Sequence, residues 1–263
     1  MLKRRATKAL PARSPLVESL GIGKTNQPAR ERWLERELLA LPADSTILDA
    51  GAGERRYAKF CTHLQYTSQD FGRYDGSGDQ VGLQKHTWDN TGLDIVSDIT
   101  SIPVETRSFD AIMCVEVFEH LPRPLDALQE FQRILRPGGK LILTSPFCSL
   151  THYSPHFYYT GYSEYFYRTH LPAYGFSIDK IERNGGYFDY LAQELVRLRS
   201  VTERYAPEHQ GDAKRLRSAL EVLLRELKSM SAADSGSSEL ACFGLHVLAT
   251  RDRDEVYRKS RAR

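Results

Sequence analysis

Asp49, Gly51 and Gly53 stand at alternate positions directly after a short apolar run, Ile47-Leu48. An acid and two glycines so spaced make a tight turn in which bare backbone can meet a ligand. Ala50 lies inside that turn, and Arg55 and Arg56 follow it. Asp70 lies 21 residues beyond Asp49, the interval at which an acid past a glycine turn accepts hydrogen bonds from ribose hydroxyls. A pyrophosphate-binding turn needs Gly-x-Gly-x-x-Gly, and Arg56 occupies the place of its third glycine. A second constellation lies in residues 146–174, which are densely aromatic against 10% for the whole chain. His152 and His156 fall there in a proline-containing stretch, among Phe147, Tyr153, Tyr158 and Tyr162. Imidazoles can take a proton from a hydroxyl near neutral pH, and aromatic walls suit a ring-bearing or sugar-like substrate. Tyr162, Tyr165 and Phe166 also fit one face of a helix packed into the core, and both readings stay open.

These residues need elements to hold them. Ala29 to Leu41 reads as an amphipathic helix with Trp33, Leu34, Leu38 and Leu41 on one side. Ile47-Leu48 reads as a buried strand, and a helical pattern through Tyr57, Phe60 and Cys61 follows the turn. Further strands are expected over residues 64–71, 93–99, 109–117, 140–145, 177–181 and 241–250. Helices are expected over 122–135, 188–205 and 212–230. Arg136-Pro137-Gly138-Gly139 is expected to end the first of these. Gly72 to Gly92 is long, polar and glycine-rich with Tyr74 and Trp88 embedded, and reads as a packed, functional loop. Strand, glycine turn and helix in alternation predict a doubly wound α/β fold, with ligands at the carboxyl ends of the strands.

Composition narrows the class. At 263 residues the chain suits one large domain with additions. Mean hydropathy is −0.47, and no run approaches the roughly 20 apolar residues of a membrane span. The basic N-terminus lacks the apolar stretch of a secretory signal. Cys61, Cys114, Cys148 and Cys242 are scattered, as buried free thiols of a reducing, cytoplasmic protein are. No metal site is expected, since Cys61 and His63 are close but isolated. Residues 1–13 carry +5 and residues 251–263 carry +3, which leaves −6 for the rest of the chain. An acidic body is a poor nucleic-acid platform, so no nucleic-acid partner is expected. Residues 1–28 and 252–263 read as disordered tails around a domain at 29–251.

In their order the elements resemble the class I S-adenosylmethionine (AdoMet) methyltransferases, type 11 in kind. The resemblance rests on Asp49-Ala50-Gly51-Ala52-Gly53, Asp70, Asp98-Ile99 with Pro103, Phe109-Asp110, Val117-Phe118-Glu119-His120-Leu121-Pro122 and Leu135-Arg136-Pro137-Gly138-Gly139. Arg55 departs from the pattern where the family's last glycine stands. The resemblance implies a Rossmann-like seven-stranded sheet with the last strand antiparallel, and residues 187–230 as a helical insertion between strands six and seven. Such insertions commonly cover the acceptor site or mediate homodimers, and both remain open here. It implies AdoMet as cofactor, with Gly51 and Gly53 under its methionine part, Asp49 orienting the turn or the amino group, and Asp70 with Phe71 at the ribose. Asp98 and Ile99 would take the adenine, and Val115 and Glu116 would flank the methionine end. Arg55 would pair with the methionine carboxylate or face solvent. His120, at a strand-to-helix exit, is expected to be structural or to support a site residue from behind. The implied reaction is methyl transfer to an oxygen or nitrogen of a small-molecule or glycan-type acceptor, with His152 or His156 as the base. Methylation of RNA or protein, AdoMet binding without turnover, and a nicotinamide oxidoreductase are the rival readings.

Overall fold

The computed structural model describes residues 19–83, 88–209 and 211–253. Its centre is a seven-stranded sheet in the order β3-β2-β1-β4-β5-β7-β6. The strands are β1 (Thr46–Ala50), β2 (Gln65–Asp70), β3 (Ile95–Val96), β4 (Phe109–Val115), β5 (Leu135–Pro146), β6 (Phe176–Asn184) and β7 (Gly244–Arg251). β1 to β5 pair in parallel and β7 runs antiparallel to β5, as expected. Order and direction are those of a doubly wound sheet whose strand sequence reverses between β1 and β4, which puts a ligand crevice at their carboxyl ends.

β1 and β4 are apolar on both faces, and Ile47, Leu48, Ala111, Ile112, Met113 and Cys114 are fully buried. A parallel sheet covered by helices on both sides demands that pattern. On one face Trp33, Leu34 and Leu38 of helix α1 (Asn26–Leu39) pack over Ile47, Met113 and Ile142. Helices α2 (Pro124–Ile134) and α3 (Glu164–Ala173) complete the unit formed by residues 30–183 and 244–253. α2 starts with a proline at its first position, where the missing N–H costs nothing.

Three local expectations change. The residues after the glycine turn form successive turns and one short 3-10 helix, Ala58–Phe60, where an α-helix is predicted. Arg136-Pro137-Gly138-Gly139 lies inside β5, where Phe109 pairs with Leu135 and Ala111 with Lys140. Four residues thus oppose one, a large bulge held by Arg136 on Asp110 at 2.6 Å. Tyr165 is 80% exposed on α3, while Tyr162 precedes that helix and donates its hydroxyl proton to the Phe118 carbonyl.

The second unit comprises the described residues 19–29 and 184–243. Helices α4 (Tyr187–Tyr205) and α5 (Ala213–Ala232) form a hairpin whose core is Ala192, Leu224 and Leu227. Asp212 caps α5 by accepting from the Lys214 and Arg215 amides. Leu20 and Ile22 join this core, so residues 20–28 are packed chain and not tail. The rest of the expected N-terminal tail, and residues 254–263, lie outside the described residues. Cys61, Cys114 and Cys242 are buried free thiols, and Cys148 is exposed. Among the described residues no helix is long and apolar enough to cross a membrane.

Candidate active site

The turn after β1 is folded onto β2. The Gly51 and Ala52 amides both donate to the Gln69 carbonyl at 2.8 Å. Asp70, at the carboxyl end of β2, accepts from the Gly53 amide at 3.0 Å and the Gly72 amide at 2.9 Å. One carboxylate therefore holds two turns and remains half-buried at the strand end. Gly51 and Gly53 adopt φ of +79° and +50°. A Cβ on Gly51 would lie 2.5 Å from the Val117 side chain, and one on Gly53 would lie 2.6 Å from the Trp88 indole. Both glycines are needed for close approach as well as for conformation.

Asp49 sits beneath the turn, 2% exposed, and accepts from the Tyr66 hydroxyl at 2.7 Å. Burial pushes its carboxyl up to about 7, against the lowering effect of the Tyr66 bond, and the nearby Asp70 charge adds to the rise. Ala50 is fully buried. Arg55, at φ +55°, donates to the Gly92 carbonyl at 2.7 Å, tying the turn to the far end of the 72–92 loop. Asp98 is exposed and caps its own turn by accepting from the Thr100 amide and hydroxyl, which hold it below the usual carboxylate range. Ile99 beside it is buried. Val115 ends β4. Glu116, at φ +57°, accepts from the Thr144 hydroxyl at 2.9 Å and pairs with Arg30 at 3.0 Å.

The 72–92 loop and the segment after β5 close over this turn. Leu83 bridges to His152, the Leu83 amide donates to the Thr151 carbonyl at 2.8 Å, and the Ser154 hydroxyl donates to Asp79 at 2.9 Å. Tyr74, Trp88 and Tyr153 meet edge to face, with ring centroids 5.1 to 5.9 Å apart. Phe71 meets His156 edge-on at 5.1 Å. The predicted acceptor segment is thereby set directly against the residue after Asp70. Within that segment the side chains divide. Tyr153 is in the cluster, with burial pushing its hydroxyl up to about 12. Phe147 is half-buried, Tyr158 is 49% exposed, and Tyr162 is buried against Phe118.

Sequence reasoning passed over the centre of this cluster. Glu119, on the 3-10 helix Phe118–His120, is fully buried. Among the described residues neither of its carboxylate oxygens has a hydrogen-bond partner. Desolvation holds its carboxyl well above the usual range, and Glu116 pushes it the same way. His120 Nδ1 lies 2.6 Å from the His156 carbonyl, and its Nε2 lies 3.7 Å from Glu119 Oε1. Burial lowers the His120 imidazole to about 3, with His152 adding to the effect, so the ring is neutral. His152 Nδ1 lies 2.9 Å from the Leu150 carbonyl, and its Nε2 is 4.0 Å from the same Glu119 oxygen. The two imidazoles stand edge to face at 4.7 Å. The Tyr158 and Tyr159 amides, donating to the Glu119 carbonyl, anchor this helix to the acceptor segment. The sequence signal was the Glu119-His120 pair at the end of a core strand, where full burial of the acid is visible only in three dimensions.

The crevice suits a nucleoside better than a pyrophosphate. Strand ends offer the carboxylates of Asp70 and Asp98 with the apolar Phe71 and Ile99 beside them, and no α-helix N-terminus opens at the turn to receive phosphate.

Residues 48–143 match the family model described as a methyltransferase domain. A Xanthomonas oryzae pv. oryzae protein named ubiquinone biosynthesis O-methyltransferase is 46% identical over 41 residues, 16% of this chain and 17% of that protein. A Mus musculus protein named tRNA (carboxymethyluridine(34)-5-O)-methyltransferase is 30% identical over 109 residues, 40% of this chain and 15% of that protein. The chain thus spans less than a fifth of the length of either relative. Among solved structures the 4+2 cyclase SpnF is similar with a TM-score of 0.52 and 16% identity, over 93% of this chain and 98% of that one. That likeness is one of fold.

Proposed function

We propose that this chain, which belongs through residues 48–143 to the class I AdoMet-dependent methyltransferases, transfers a methyl group to an oxygen of a small-molecule or glycan-type acceptor. Bound AdoMet supplies a methyl on a sulfonium, an electrophile that needs no further activation. The protein's task is then to align a nucleophile and take its proton. In this reading Gly51 and Gly53 let the methionine part approach the backbone, and Asp70 keeps lone pairs for ribose hydroxyls beyond its bonds to the Gly53 and Gly72 amides. Asp98 and Ile99 receive the adenine. Arg55, committed to Gly92, stiffens the turn. Trp88 and Tyr153 wall the crevice above Gly53.

The observation that carries the proposal is the Phe71–His156 contact, which sets an imidazole of the segment after β5 against the residue next to Asp70, our proposed ribose ligand. His156 is our candidate base. His152 is the alternative of the pair, but its Nε2 faces Glu119. An oxygen acceptor is supported by both curated relatives, whose names describe O-methylation. The second reading, an RNA hydroxyl as acceptor, is favoured by the tRNA-modifying relative alone and opposed by the −6 charge between the basic ends.

A methyl-acceptor screen with labelled AdoMet, offering phenols, sugars, amines, tRNA and protein, tests this reading. Label on a small hydroxyl compound is expected. With that acceptor His156→Ala should lower turnover by roughly 100-fold or more while AdoMet affinity holds. Label confined to tRNA would transfer the proposal to the second reading. Full turnover in the variant would remove His156 from the chemistry.

A further inference from the structure

We infer that Glu119, His120 and His152 form a binding site for a divalent transition-metal ion. One potential ligand atom from each residue lies within 4.8 Å of the others. No metal site was expected because Cys61 and His63 are too close and too isolated, yet the fold brings His152 from beyond β5 onto the Glu119-His120 step after β4.

The orientation of both rings is what a metal site requires. A carbonyl can only accept, so Nδ1 of His120 carries the proton it gives to His156, and Nδ1 of His152 carries the one it gives to Leu150. That fixes the tautomer and leaves each Nε2 as a lone pair, the arrangement by which backbone carbonyls orient metal-binding histidines. Both lone pairs are turned to the same Glu119 oxygen, at 3.7 and 4.0 Å. These separations are too long for hydrogen bonds. Ligands about 2.1 Å from a common ion stand roughly 3.4 Å apart in a tetrahedron, so these two distances need to close by about half an ångström.

The second observation is independent of that geometry. Glu119 is 0% exposed. Among the described residues both its carboxylate oxygens and His120 Nε2 are buried without a hydrogen-bond partner. Leaving such groups unsatisfied is costly, and their concentration at one point calls for a missing partner. A cation would satisfy one Glu119 oxygen and His120 Nε2 together. Two imidazoles and one carboxylate favour Zn²⁺ and its transition-metal neighbours over Mg²⁺, which takes oxygen ligands. Three protein ligands leave a coordination position open. An acceptor oxygen bound there would lose its proton more readily, with His156 to receive it. That use rests on the function proposed above; the binding of the ion does not.

The test is equilibrium dialysis of the metal-stripped full chain with Zn²⁺, Co²⁺ or Mg²⁺, with Co²⁺ absorption as a second readout. AdoMet affinity of every variant is measured by calorimetry. One Zn²⁺ per chain is expected, with a visible Co²⁺ band and no competition from Mg²⁺ at equal concentration. Glu119→Gln, which keeps the shape of the side chain, and His152→Ala should each weaken Zn²⁺ binding by more than about 10-fold. His156→Ala should leave it nearly unchanged, because the His156 carbonyl that holds His120 Nδ1 is backbone and stays in the variant. Retained AdoMet affinity marks a variant as folded and separates failure of the metal site from failure of the methyltransferase reading. A wild-type chain that binds neither Zn²⁺ nor Co²⁺, preference for Mg²⁺, or unchanged Zn²⁺ binding in both ligand variants would overturn the inference.

Discussion

Asp49 shows how one residue can look like a ligand-binding acid and act first as a buried one. Its carboxyl lies under the glycine turn against the Tyr66 hydroxyl, and desolvation lifts it to about 7. In the unfolded chain the same group titrates near 3.9. Between those two values the folded protein holds a proton that the unfolded chain has released. Stability contributed by this group therefore falls as pH rises through that window. Asp49→Asn removes the titration and keeps an acceptor for Tyr66. The difference in unfolding free energy between variant and wild type, measured in urea, should move in the variant's favour from about pH 4.5 to about pH 7.5. A difference that stays constant over that range would mean the folded carboxyl is already ionised at the lower pH. The alternation of Asp49, Gly51 and Gly53 was legible in the sequence because a tight turn demands those residue types. The bond from Tyr66 was not, since it joins two strands whose pairing no local pattern specifies. Glu119 was illegible for a related reason: charge suggests exposure, and only its packing shows otherwise.

At the scale of elements, the site is a strand-end turn closed by two loops that hold each other. The long loop was recognisable from its glycines and its isolated aromatics. What it clasps was not, because contacts such as Leu83 to Thr151 and Asp79 to Ser154 join segments far apart in the chain. β3 shrank from seven expected residues to two, Ile95 and Val96, since an edge strand gains few pairing contacts. The helix expected after the turn gave way to successive turns. The closeness of Trp88 to Gly53 sets the loop directly against the glycine turn. Gly53→Ala would put a Cβ 2.6 Å from the indole at a φ of +50°, so the loop must lift or the turn must shift. Hydrogen exchange should show added protection in the loop of the wild type with S-adenosylhomocysteine, and less in Gly53→Ala. Equal exchange with and without the ligand in the wild type would count against closure over the cofactor.

For the whole molecule, the alternation of strands and helices foretold the doubly wound sheet, because buried parallel strands must be apolar on both faces; the antiparallel last strand was implied by the family resemblance alone. The partition of the chain was harder to read. Residues 20–28 look like a basic, proline-containing tail, but Leu20 and Ile22 belong to the core of the helical hairpin. Two apolar side chains in a polar stretch are too weak a local signal to announce packing against partners more than 160 residues away. Cofactor class can be tested on the intact chain through linkage. A ligand that binds only the folded state stabilises it by about 2.7 kcal/mol at 100 times its dissociation constant. AdoMet and S-adenosylhomocysteine should therefore raise the denaturation midpoint in proportion to the logarithm of their concentration, and NAD should not. Asp70→Ala should lower the midpoint before any ligand is added, because the Gly53 and Gly72 amides lose their acceptor. The informative quantity is the ligand-induced part of the shift, which should correspond to binding weakened by roughly 1–3 kcal/mol if Asp70 also holds the ribose. A variant that melts lower but gains as much from AdoMet as the wild type would confine Asp70 to bracing the turn. A shift with NAD comparable to that with AdoMet would reopen the oxidoreductase reading that the missing helix N-terminus disfavours.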